Sequence, residues 1–164
     1  MTQQSLKQYS TSIITPTIFT GGAMALADAM HTGAIQVPNA LKFRRSAKIS
    51  TIVVSDLDQR GMAFNVLLFS QNPSASTITA GSTLDVADAD LLNCLGFVQI
   101  AAAAYTAFAD NALATASSLV SFSRGEVGSY NDDDRDLWVV LQSLGTSTYT
   151  TATALQLRLT FELD

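Results

Sequence analysis

Cysteine, histidine and tryptophan each occur once in the 164 residues, and proline three times. The lone Cys94 excludes a disulfide within the chain. It stands in the apolar run Leu91-Leu92-Asn93-Cys94-Leu95 and reads as a buried, inert thiol rather than a nucleophile. The lone His31 would have to serve any Ser-His-Asp triad, yet no nucleophile elbow accompanies it. In Ala29-Met30-His31-Thr32-Gly33 it reads as a surface or turn histidine. One His and one Cys are too few for a structural zinc site. Gly21-Gly22 lacks the Gly-Lys-Ser/Thr of a phosphate loop, and no dinucleotide fingerprint occurs. No cofactor or metal is expected, and no enzyme activity.

Charge is also scarce. Only 14% of residues are charged, against about 25% in an average soluble domain. The net charge of −5 argues against nucleic-acid binding, which needs clustered Lys and Arg. One local exception is Lys42, Arg44, Arg45 and Lys48, four of the nine basic residues in one stretch. Such a patch reads either as a solvated strand edge or as a surface that docks on an acidic protein. No apolar run approaches the roughly 20 residues that span a membrane. Met1 to Tyr9 lacks the apolar core of a secretory signal, so folding in a cytosol is expected.

What is present is apolar and β-patterned. Leu155, Leu157, Leu159, Phe161 and Leu163 alternate with Gln156, Arg158, Thr160 and Glu162, which predicts a strand with one buried face. Ile49–Val54 and Met62–Phe69 predict two more strands. The turn-like Ser55–Gly61 between them suggests a hairpin. Leu95–Ile100, Leu113–Phe122 and Leu137–Leu141 continue the pattern, and Trp138 within the last reads as core. Ile13–Phe19 and Ala34–Val37 are weaker strands, and Pro16 in the first suggests an edge strand or an extended arm. Ala101–Ala104 reads as a turn. The expected fold is all-β: an antiparallel sandwich, jelly-roll-like, with one short helix and an extended N-terminal arm. Residues 1–12 would form the arm and 13–164 a single domain.

Two groups of acidic residues stand out. Asp85 is expected to cap a helix over Val86–Asn93, with Asp88 in its first turn. Asp132, Asp133, Asp134 and Asp136 could ligate calcium, but the stretch lacks the EF-hand order and reads first as a solvated loop. A carboxylate pair for glycoside hydrolysis would need aromatic platforms, and the single Trp138 does not supply them.

Several stretches resemble a group of small structural proteins of tailed bacteriophages and prophages. They are Ile14-Thr15-Pro16-Thr17-Ile18, Leu68–Ser76, Asp88-Ala89-Asp90 and Tyr105–Asn111. Gly145–Thr150 with the alternating strand after it completes the set. Together they span about Ile13 to Asp164, and their order and spacing carry the likeness. Leu144-Gly145-Thr146-Ser147 departs from the group's Arg-Gly-Thr-Pro, which leaves the local turn open. The resemblance implies a capsid decoration, or cement, protein on the virion surface, made in the bacterial cytoplasm. It implies the major capsid protein as partner, a homo-oligomer with a trimer favoured, and no nucleic-acid or membrane partner. Pro16 and the Lys42–Lys48 cluster would be contact points. Two other readings stay open: a tail, baseplate or receptor-binding part, and a small carbohydrate- or ligand-binding sandwich.

Overall fold

The computed structural model describes residues 8–40, 46–117, 120–123 and 136–163. Among these residues the strands are β1 (Gln8–Ile14), β2 (Ile35–Val37), β3 (Ser46–Asp56), β4 (Phe64–Phe69) and β5 (Cys94–Ile100). They continue as β6 (Tyr105–Ala107), β7 (Ala112–Ser117), β8 (Ser121–Ser123), β9 (Leu137–Ser143) and β10 (Leu155–Leu163). A one-turn helix α1 (Asp88–Leu91) precedes β5.

Among the described residues all pairings between these strands are antiparallel, and they form two sheets. One runs β1-β10-β3-β7-β6, with β8 also on β3; the other runs β2-β9-β4-β5. Without the short β6 and β8, the chain passes from sheet to sheet in the order of a jelly roll. The first and last strands lie side by side in one sheet, and the second and the last but one in the other. The all-β sandwich read from the sequence is therefore present.

Strand chemistry explains which faces are buried. In β10 the five apolar residues turn inward while Gln156 and Arg158 face solvent, so the outer face of its sheet is open. In β3 the alternation breaks at Ser50 and Thr51, between buried Ile49 and Ile52. The register against β10 shifts there, a bulge that restores the inward phase. β4 and β9 are instead apolar almost throughout, because loops also cover the outer face of this central part of their sheet. Inside, Phe64, Val66, Leu68, Val139 and Leu141 meet the other sheet. Outside, Phe69 and Val140 pack with Ala29, Ile78 and Leu84, which loops 27–34 and 76–86 bring over them.

Several expectations need correction. β3 and β4 do not form a hairpin: they belong to different sheets. The connection 57–63 crosses the sandwich, with Gln59 and Gly61 in left-handed backbone. The residues expected as an arm up to position 12 are, from Gln8 on, an edge strand paired along β10. The helix is shorter than Val86–Asn93, and Asp85 does not cap it: Ala87 holds that position and Asp85 bridges to Thr77. The stretch Leu113–Phe122 is divided into β7 and β8, both laid along β3. Trp138 is half-buried at the rim of the outer cluster rather than central.

Candidate functional site

Of the predicted partner contacts, Lys42, Arg44 and Arg45 lie outside the described residues. Lys48 is half-buried on β3, and the register sets it opposite Glu162 on β10. Pro16 is buried just after β1 ends, so in this chain it is a packing residue and not an accessible contact.

Asp132, Asp133 and Asp134 also lie outside the described residues. Asp136 is buried and serves the fold. Its carboxylate accepts the Asn39 N–H at 2.7 Å and the side-chain amide of Gln36, tying the end of β2 to the start of β9. Among the described residues no three His, Cys, Asp or Glu side chains gather where they could hold a metal. Cys94 is half-buried, not enclosed, at the start of β5.

His31 overturns its sequence reading. It is 2% exposed, and its Nε2 accepts the backbone N–H of Leu141 at 3.0 Å. Burial pulls its pKa down to about 4, with the backbone of Gly33 and Thr32 working against the shift. The neighbouring apolar letters Ala29 and Met30, both buried, were the signal of a core position.

A polar group closes the end of the sandwich where the chain crosses from β3 to β4. Asp56 is fully buried and accepts the N–H groups of Asp58 at 3.1 Å and Gly61 at 2.8 Å. Its pKa is raised by burial, against the pull of those N–H groups. Asp58 in turn accepts the Thr150 N–H, the Thr150 hydroxyl and the Thr151 N–H at 2.6–2.9 Å. The hydroxyls of Tyr105 and Tyr149 are buried there without a hydrogen-bond partner. Burial first, and then the Asp56 charge, holds both phenols above their usual pKa. The two carboxylates thus clasp the 57–61 crossing to the 150–151 segment.

One cleft of about 350 Å³ opens between residues 32–34 and 72–78. Its lining includes Thr32, Asn72, Ser74, Ser76 and Ile78, and no lining residue is charged or aromatic. Its wall is set by Asp90, whose carboxylate accepts the Ala75 N–H at 2.9 Å and the Ser76 hydroxyl at 2.7 Å.

The accessible chemistry is instead apolar. Leu92 is 89% exposed, Ile13 70% and Phe97 59%, with Tyr9 and Leu91 also open. Tyr9 and Ile13 lie on the edge strand β1, and Phe97 on the edge strand β5, a few residues after Leu91 and Leu92. The sequence contained Leu91-Leu92 as part of an apolar run, but a run cannot tell which side chains face out.

No protein-family model matches this chain, and no characterised protein matches its sequence. Among the described residues no helix is long and apolar enough to cross a membrane.

Proposed function

We propose that this chain is a non-enzymatic virion structural protein that binds and stabilises a bacteriophage capsid lattice, as a decoration protein acting in homo-oligomers. The observation that carries the reading is the strand order, because the jelly roll is an architecture of viral capsid domains. Fold analogy supports the role, and the phage-like stretches add to it. Two of them are joined here: Leu68–Ser76 and Asp88-Ala89-Asp90 meet through the Asp90 carboxylate.

The surface suits the role. A cement protein works by burying area against several neighbours, on the order of 800 Å² per partner for a stable contact. Low charge lowers the desolvation cost of such burial. Apolar side chains on two sheet edges, Tyr9 and Ile13 on β1 and Phe97 on β5, supply contact area where a strand or loop of a neighbour can lie.

Particles assembled with and without the chain provide the test. Decoration predicts that the chain co-fractionates with heads and that heads lacking it rupture at lower temperature. Recovery of the chain with tails or baseplates, and heads of unchanged heat resistance, would sink it. A carbohydrate-binding reading would rest on the cleft beside Thr32 and Ser74, whose lining offers no aromatic platform for a sugar ring. Saturable binding in a glycan array would favour that reading instead.

A further inference from the structure

Residues 27–33 form a strap along β9, beyond the point where β2 stops. β2 pairs only Leu137–Val139 of β9. Farther along, Ala27 donates to the Ser143 carbonyl, Ser143 to that of Asp28, and Met30 to that of Leu141. The next donor, the Leu141 N–H, needs an acceptor from the strap. A side chain supplies it: His31 Nε2, at 3.0 Å. On its other side the strap is held by Ala29 to Ser82, Gly81 to Ala29 and Gly33 to Ile78. Its Ala29 completes the outer apolar layer with Phe69, Ile78, Leu84 and Val140, and its Met30 belongs to the main core. Trp138, the chain's one tryptophan, packs at the rim of the outer layer.

A ring nitrogen that accepts a hydrogen bond carries no proton, so the neutral ring holds its proton on Nδ1. Among the described residues Nδ1 is buried with no partner at hydrogen-bond geometry, and the nearby backbone of Gly33 and Thr32 favours the charged ring less than burial opposes it. The ring is therefore committed through one acceptor bond. Protonation turns Nε2 into a donor aimed at another N–H, in a site only 2% exposed.

Among the described residues the surroundings offer the cation no counter-charge. The strap itself carries Asp28, already accepting the Ala25 N–H at 2.7 Å. The 77–85 loop carries only Asp85, whose backbone is bridged to Thr77. The strands β2, β4 and β9 and the segment 15–24 carry no charged residue. Burial is the largest influence on the ring, and no neighbouring charge contributes.

We propose that His31 is a proton-operated latch: the neutral ring holds the 27–33 strap against β9, and its protonation releases the strap and opens the outer apolar layer that the strap completes. A mildly acidic medium would thereby favour exposure of this outer layer, and of Met30 from the main core, while the strands of the other sheet stay paired. The inference does not depend on the capsid reading.

The test is residue-resolved amide exchange on the intact chain at pH 7 and pH 4.5, corrected for the intrinsic rate, with Trp138 emission followed in parallel. The latch predicts that Leu141 loses protection on the order of 50-fold at the lower pH, as linkage to an opening that frees His31 requires. Ile52 and Leu159, in the other sheet, should keep theirs while Trp138 emission shifts to the red. Unchanged Leu141 protection overturns the proposal. So does a loss shared in step by Ile52 and Leu159, which would be global unfolding. His31→Gln retains an acceptor but cannot titrate. Its Leu141 protection should be equal at the two pH values, and a surviving acid response overturns the latch. If that variant does not fold, the wild-type exchange decides alone.

Discussion

The carboxylate of Asp56, the last residue of β3, accepts the backbone N–H of Gly61 at 2.8 Å. This contact turns the chain away from its own sheet and sends it into the other. Asp56 also accepts the Asp58 N–H, so two donors in a tight crossing are satisfied by one buried side chain. Asp56→Ala should lower stability by about 2–3 kcal/mol at pH 7, since both N–H groups lose their acceptor. Asp56→Asn keeps one acceptor and should cost less. Urea unfolding of the two variants checks the order; equal losses would contradict the clasp.

Asp58 gives the pH dependence. Its burial favours the neutral form, but the N–H groups of Thr150 and Thr151 and the threonine hydroxyls outweigh it, so its pKa is lowered. A lowered folded pKa means stability present above the ordinary carboxylate range and lost as pH falls through the folded value. The gap between wild type and Asp58→Ala should therefore be about 1 kcal/mol at pH 7. It should close progressively below pH ~4, the ordinary Asp range. Denaturant midpoints at a series of pH values measure it.

Tyr149 is fully buried with an unpartnered hydroxyl. Tyr149→Phe should be neutral or stabilising by up to about 1 kcal/mol, because an unpaired polar group leaves the interior. Thermal unfolding decides the sign, and a loss above that size would mean that the hydroxyl is engaged in solution.

Gly81 sits at φ +71°, and a Cβ there would stand 2.6 Å from the Phe19 ring. Gly81→Ala should cost about 1–3 kcal/mol through backbone strain and displacement of that ring. Calorimetry of Gly81→Ala alone and combined with Phe19→Leu separates the two: the smaller side chain should recover part of the loss.

Asp90 holds the 72–76 loop through Ala75 and Ser76. Asp90→Ala should leave the loop cut faster by protease within residues 72–76, and should lower global stability by about 1–3 kcal/mol. Mass mapping of the first cleavage locates the effect.

What could be read from the linear chain was whatever rested on local periodicity. β10 is the clearest case: five apolar residues at period two allow one buried face and nothing else. The scarcity of His and Cys, and the sandwich class itself, were equally legible, because they follow from counts and patterns. β4 and β9 were legible as strands, but not as strands covered on both faces, since that depends on loops distant in sequence.

Tertiary structure decided the rest. Residues Ser55–Gly61 look like a hairpin turn, and whether a turn returns to its own sheet or crosses to another depends on who already occupies the strand edges. Here β10 and β7 flank β3, so β4 pairs with β9 and β5. His31 shows the same limit: a polar letter in a loop reads as exposed until the fold presents it with an orphaned N–H on β9. Alternation is written within a few neighbouring residues and survives any packing. Partners far apart in the chain, such as His31 and Leu141, exist only once the strap has been laid along β9.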